Sequence, residues 1–226
     1  MRVAVIAVYV DLQRGGRPNH GLLQPQIGPL IAALLPSGIE IDIVNDTVED
    51  PAWDQHYDLV FISCLSPDFD RARQIAHYWR RRGAKTVFGG TFPSLYPALV
   101  APYFDAIVVG DAEGSVDRVY ADFVRGHLEP IYVSAPYDPA AVPVPRFDLV
   151  ATKQLVPFSL EVTRGCPFSC NFCVLSAIGT RHHVRPVSLV MRDLRAARAM
   201  LRHLVPLHKR RVVLFMDNNI GGNLAY

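Results

Sequence analysis

The stretch Asp58-Leu-Val-Phe-Ile-Ser-Cys-Leu-Ser-Pro-Asp-Phe-Asp-Arg-Ala-Arg-Gln-Ile-Ala-His-Tyr-Trp79 decides the fold. Asp58 to Cys64 is a short β-branched and aromatic run bounded by loop residues, which reads as a strand. The period then changes. Ser66 can cap a helix, Pro67 suits a first helical position because its missing N–H has no partner there, and Phe69, Ala72, Ala76 and Trp79 recur on one helical face. Strand followed within a few residues by helix is one βα unit, and the pattern repeats. Arg2 to Val10, Ile39 to Asn45, Lys85 to Phe88 and Ala106 to Val109 are similar apolar runs, most of them followed by helical spacing. Pro29 opens the helix that carries Leu30, Ile31, Leu34 and Leu35. Repeated βα units predict an α/β fold with a doubly wound parallel sheet.

In such sheets ligands lie beyond the carboxyl ends of the strands. Three strand ends here carry small or polar residues: Ser63-Cys-Leu65, Gly89-Gly-Thr-Phe-Pro-Ser94 and Gly110-Asp-Ala-Glu-Gly114. Glycine lets backbone approach a flat or phosphorylated ligand closely, although a Gly-Gly pair after a strand is also an ordinary turn.

Half of the 226 residues are apolar, enough for one good core or two modest ones. Arg2 is followed by alternating β-branched residues without a small-residue cleavage site, and no apolar stretch is long enough to span a bilayer. A cytoplasmic location is therefore the default expectation. In that compartment the four cysteines are expected as thiols and metal ligands rather than disulfides, with Cys64, inside an apolar strand, as inert packing.

Charge divides the chain. Residues 1–150 carry 12 Lys and Arg against 18 Asp and Glu, a net −6; residues 151–226 carry 11 against 3, a net +8. Between the halves, Tyr132 to Phe158 holds Pro136, Pro139, Pro143, Pro145 and Pro157 and reads as a semi-rigid connector. The expected organisation is a sheet domain over residues 1–131, a Pro-rich linker over 132–157 and a second domain from residue 158.

That second part opens with Phe158 to Thr163 as a strand. A helix after Arg185-Pro-Val187 places Val190, Leu194, Ala197, Leu201 and Leu204 on one face, and Val212 to Met216 reads as another strand, as at the start of a βα barrel. Arg192, Arg195, Arg198 and Arg202 form a basic stripe, read as the solvated outer face of that helix, so no nucleic-acid partner is expected. From the first strand hangs Thr163-Arg-Gly-Cys-Pro-Phe-Ser-Cys-Asn-Phe-Cys173. Thiolates select iron–sulfur, zinc or Cu(I), and a closed structural zinc site needs four protein ligands where this loop supplies three. A zinc site completed by His182 or His183, or a ferredoxin-like electron carrier, remains an alternative on residue type alone. Arg164 and Arg181 flank the loop and suit an anionic cluster or a carboxylate.

Cys166, Cys170 and Cys173, spaced Cys-x-x-x-Cys-x-x-Cys with Phe172 before the last, resemble the motif of the radical S-adenosylmethionine superfamily. The resemblance implies that these cysteines hold three irons of a 4Fe-4S cluster. The open iron binds S-adenosylmethionine, whose reductive cleavage gives a 5'-deoxyadenosyl radical. It places Phe172 near the adenine and Asp217, with Asn218 beside it, near the polar edge of S-adenosylmethionine. It also implies a small-molecule or natural-product substrate and a one-electron reductant such as flavodoxin or ferredoxin.

Ile27-Gly-Pro-Leu-Ile-Ala-Ala-Leu-Leu35, Gly89-Gly-Thr-Phe-Pro-Ser-Leu-Tyr-Pro97 and Val108-Val-Gly-Asp-Ala-Glu-Gly114 resemble the cobalamin-binding domain that precedes the catalytic domain in cobalamin-dependent radical SAM proteins. The implied fold is a Rossmann-like sheet of the cobalamin-binding type followed by the beginning of a radical SAM partial barrel. Ser63, Leu65, Gly89, Gly90, Phe92, Gly110, Glu113 and Gly114 are the implied cobalamin residues. The wider fold's Asp-x-His-x-x-Gly motif does not follow Val10; Asp54-Gln-His56 is a near miss in the wrong place, and His56 reads as a surface histidine. A Rossmann-like domain without a corrin therefore stays open. The expected chemistry is cobalamin-dependent methyl transfer to an unactivated centre, with non-methylating radical chemistry as the rival. Related radical SAM domains continue for about four more βα units, so the chain is expected to be an N-terminal fragment, poorly stable and inactive alone because strand edges and apolar helix faces would lie bare.

Overall fold

The computed structural model describes residues 1–9, 21–179 and 182–222; Val10 and Arg181 lie outside the described residues. In chain order the elements are β1 (Arg2–Val8), β2 (Gly21–Leu23), α1 (Ile27–Leu34), β3 (Glu40–Asn45), β4 (Leu59–Cys64), α2 (Phe69–Arg81), β5 (Lys85–Gly89), α3 (Thr91–Leu95), α4 (Pro97–Val100), β6 (Ala106–Val109), α5 (Val116–Val124) and β7 (Ile131–Val133). There follow β8 (Gln154–Val156), β9 (Ser159–Leu160), β10 (Thr163–Arg164), α6 (Val174–Ala177), β11 (His183–Val184), α7 (Val187–Met200), α8 (Leu207–Arg210) and β12 (Leu214–Phe215).

Six strands form one parallel sheet in the order β3-β1-β4-β5-β6-β7. The chain moves outward from β1 to β3 and then returns past β1 to β4, so the topological switch point lies between β1 and β4, where such sheets open a crevice. The register sets Ala7 beside Ser63 and Ser63 beside Gly89, so the small residues at the strand ends are neighbours across the sheet.

Side chains alternate across each strand, and the apolar runs therefore feed two cores. On one face Ala4, Ile6, Val60, Ile62 and Phe88 pack with Ala72, Ile75, Ala76 and Trp79 of α2. On the other face Val3, Val5, Phe61, Val87 and Val108 pack with Ile31 of α1 and with Val116 and Val119 of α5. Trp79 is fully buried, with its ring 6.1 Å from Trp53 and edge-on to Tyr57 and Tyr78. Truncating such a residue to alanine costs about 3–5 kcal/mol. Ser66 does not cap α2: Ser66–Asp68 forms a 3-10 turn that leads into the helix, and Pro67 sits in that turn.

Residues 132–157 do more than connect. Ile131–Val133 is the sixth sheet strand, so the expected boundary at residue 132 falls inside β7. Phe147 and Ala151 enter a third core with Phe158, Leu160, Val162, Val190, Ala197 and Leu201, and Val150 packs on Ala32 and Ile43. Strand β8 pairs in parallel with β2, the Gln154 amide donates to the Gln24 carbonyl at 3.1 Å inside the protein, and Lys153 meets Glu49 at 2.8 Å. Prolines that preclude a helix here still leave side chains free to fill the space between the two parts.

In the second part β9 and β12 pair in parallel, with α7 between them in chain order, one βα unit of the expected kind. Arg192 is not simply solvated: it binds Asp193 and donates to the Ala140 and Val142 carbonyls at 2.8 and 2.9 Å, pinning the Pro-rich stretch to α7. Among the described residues no helix is long and apolar enough to cross a membrane.

Candidate functional site

A cavity of about 860 Å³ opens at the carboxyl ends of β4, β5 and β6. Its depth is apolar, walled by Ile27, Leu30 and Ile31 of α1, Val116 of α5, and Phe61, Val87 and Val108 of the sheet. Its rim is backbone-rich and polar: Ser63, Gly89, Gly90, Gly110, Asp111, Glu113, Ser134 and Tyr137. An apolar body with a few polar groups at its edge is the usual make-up of a small-molecule site.

Local conformation explains two of the glycines. Gly90 (φ +120°) and Gly110 (φ +97°) turn the chain away from the ends of β5 and β6 in a region that L side chains rarely adopt. Ser94 ties these turns together, donating to the Gly90 carbonyl at 2.7 Å and accepting the Gly110 N–H at 2.9 Å. A Cβ on Gly114 would lie 2.0 Å from the Ala135 carbonyl oxygen, so Gly114 permits the segment after β7 to close one side of the cavity.

Ser63, Gly89, Gly90, Gly110 and Glu113 thus come together on the cavity, whereas three other expected residues do not line it. Leu65 is 62% exposed, Phe92 packs on Phe69 and Tyr96, and Gly114 is buried against Ser134 and Ala135. His56 is on the surface, 3.8 Å from Asp58.

The opposite wall comes from the second part of the chain, through Arg164, Ile178, Gly179, His183, Val184 and Arg185. Strands β10 and β11 pair antiparallel and form the neck of an excursion that carries the three cysteines. Arg164, at that neck, donates to Glu161 at 2.6 and 2.7 Å, to Glu113 at 2.7 Å and to the Tyr137 hydroxyl at 2.7 Å, with Asp111 3.5 Å away. Burial works to lower the pKa of Arg164, but the hydrogen bonds and charges of Glu161 and Glu113 outweigh it and hold the guanidinium more firmly protonated than usual. Burial and then the charge of Glu113 push the Tyr137 phenol above its ordinary range, so it stays protonated and donates to Asp111 at 3.2 Å. Tyr137 carries no local sequence signal for this role, since Arg164 lies 27 residues away, whereas Glu161 pairs with Arg164 only three residues on.

Within the loop, Cys170 is exposed and Cys166 and Cys173 are partly so; the Cys170 carbonyl accepts the Cys173 N–H at 3.0 Å. Among the described residues no three His, Cys, Asp or Glu side chains are gathered as metal ligands, with or without His182 and His183. The loop's fit to a cluster rests on its donor chemistry, three accessible thiols within eight residues. Phe172 is 91% exposed and touches no cavity wall. Asp217 Oδ1 accepts N–H bonds from Val162 (2.9 Å) and Thr163 and the Thr163 hydroxyl (2.9 Å), while its Oδ2 is buried without a partner. Asn219 rather than Asn218 faces the cysteines, its amide 3.5 Å from Cys166 Sγ.

The B12 binding domain family matches residues 29–119, which contain the sheet ends that build this cavity. The chain is 28% identical over 207 residues to bacteriochlorophyllide d C-8(2)-methyltransferase of Chlorobaculum tepidum, covering 86% of this chain and 45% of that protein. A hopanoid C-2 methylase of Rhodopseudomonas palustris is 24% identical over 217 residues, covering 91% and 38%. The chain thus spans less than half the length of these relatives. A match over 86% of the chain necessarily runs through the cysteine loop as well as the sheet. The solved structure of the cobalamin-dependent S-adenosylmethionine radical enzyme OxsB with aqua-cobalamin bound superposes with a TM-score of 0.66 at 14% identity, over 96% of this chain and 34% of that one. At that identity the likeness establishes the fold.

Proposed function

We propose that the chain, whose residues 29–119 match the B12 binding domain family, binds cobalamin in the cavity beyond β4, β5 and β6, as part of a radical SAM methyltransferase. The observation that carries this is the cavity itself, apolar in depth and rimmed by side-chain-free backbone at Gly89, Gly90 and Gly110. A corrin is a broad, flat macrocycle with apolar faces and amides around its edge, and it matches such a site in polarity. Bound there, cobalamin supplies a carrier for a methyl group. The chain's own share is to lay backbone against the ring, to present Ser63 and Tyr137 to its amides, and to exclude water with α1 and α5.

The Thr163–Cys173 loop supports the other half of the proposal. Cys166, Cys170 and Cys173 would hold a 4Fe-4S cluster, which together with S-adenosylmethionine supplies radical chemistry. The buried, unpartnered Asp217 Oδ2 suits an N–H donor of S-adenosylmethionine. A one-electron donor such as flavodoxin or ferredoxin and a large apolar small molecule as substrate belong to the same proposal; the similar proteins are named for a bacteriochlorophyllide and a hopanoid.

Mixing the protein with hydroxocobalamin and desalting it tests the first half: we expect the corrin to elute with protein, and elution as free corrin contradicts it. Anaerobic reconstitution with iron and sulfide tests the second. We expect an electron paramagnetic signal that S-adenosylmethionine alters and that Cys170→Ala abolishes; stoichiometric zinc without such a signal contradicts it.

A further inference from the structure

Arg164 stands two residues before Cys166, yet one of its shortest bonds reaches Glu113 in the loop after β6, 51 residues away. It also binds Glu161 and Tyr137, and Tyr137 passes its own hydrogen on to Asp111 in that same loop. Both ends of the bridge line the cavity. The Glu113 side chain is 4% exposed and that of Arg164 18%, so these are desolvated charges in close geometry, unlike the weak pairs of an exposed surface. Removing Arg164 would leave the buried Glu113 charge without its counterpart, whereas removing Glu113 leaves Arg164 its pairs with Glu161 and Asp111. We propose that Arg164 is a positioning residue that couples the cavity to the cysteine loop, so that occupancy of the cavity by a corrin orders the loop through Glu113 and Arg164. This rests on the corrin reading above.

The physical basis is shared walls. A ligand that fills the cavity touches the Glu113 loop on one side and the neck of the cysteine loop on the other, so it favours the arrangement in which both are in place. The guanidinium fork holds four acceptor atoms at fixed angles and transmits that preference to Gly165-Cys166. Coupling of this kind is reciprocal and commonly amounts to a factor of roughly 5 or more.

The test follows iodoacetamide alkylation of each cysteine of the reduced protein by mass spectrometry, with and without saturating cyanocobalamin, in the unaltered chain, Arg164→Lys and Glu113→Gln. Buried Cys64 is the internal control for global unfolding. We expect cyanocobalamin to slow alkylation of Cys166, Cys170 and Cys173 roughly 5-fold or more in the unaltered chain, and to lose most of that effect in both variants while still binding them. Protection of equal size in all three proteins overturns the proposal, because it marks simple shielding by the corrin. Protection absent from a chain that binds cyanocobalamin overturns the coupling and leaves the corrin reading intact. Loss of binding in Arg164→Lys also overturns it, by making Arg164 a direct corrin contact. Failure of the unaltered chain to bind at all removes both.

Discussion

Cys64 differs chemically from the cysteines of the loop. Burial, with the charge of Asp68 adding to it, pushes its thiol up to about 12 from a usual value of 9.0. Burial and the bond to Asp122 likewise push the Tyr132 phenol up to about 12. A group whose folded pKa is raised contributes stability below its unfolded pKa and loses it as pH climbs toward the folded value. Both groups therefore stabilise the fold up to about pH 9 and cease to do so between about 9 and 12, Cys64 first. The melting temperature should stay level to about pH 8.5 and then fall, with a shallower early fall in Cys64→Ala; a melting temperature that rises between pH 9 and 11 contradicts this. At the same scale the apolar identity of Cys64 was legible from its strand. The distant partners of Arg164 were not, because a guanidinium's acceptors are chosen by the fold and two of them here lie 27 and 51 residues away.

At the scale of elements, long parallel strands were readable because burial on both faces makes each an unbroken apolar run, as in Val3 to Val8 and Leu59 to Ile62. Short strands were not. In β7 only Tyr132 is buried, and β2 pairs with β8 across more than a hundred residues without any local turn to announce it. The spacing that marked Phe69, Ala72, Ala76 and Trp79 did find the buried face of α2, whereas the capping role of Ser66 gave way to a 3-10 turn. Gly114 shows how one position fixes the relation between elements. A methyl group there meets backbone, the Ala135 carbonyl oxygen, rather than a flexible side chain that could move aside. We expect Gly114→Ala to cost about 1–3 kcal/mol, to displace Ser134 to Tyr137 from the cavity and to weaken corrin retention. Gly89→Ala, whose new Cβ would meet only Val108 at 3.7 Å, should leave the melting temperature near that of the unaltered chain. Equal melting temperatures for the two variants would contradict the packing described for Gly114.

For the whole molecule, the division of charge predicted two parts, and the structure joins them through the stretch that the prolines mark. Arg192 holds the carbonyls of Ala140 and Val142, Phe147 and Ala151 share a core with α7, and Arg164 reaches back to Glu113. The acidic first part and basic second part meet at this contact, where an arginine of one lies among carboxylates of the other. The cavity's place beyond the sheet agrees with the βα pattern, since ligands of such sheets lie past the carboxyl ends of the strands. It opens at β4, β5 and β6 rather than at the switch point between β1 and β4. Its second wall could not be read that way, because it depends on how Arg164, Gly179 and His183 to Pro186 are set over the sheet. The most direct measurement is the anomalous scattering of cobalt in crystals of this chain grown with cyanocobalamin. One cobalt peak in the cavity bounded by Gly90, Gly110 and Tyr137 is the predicted result; no peak, or a peak outside that cavity, contradicts it.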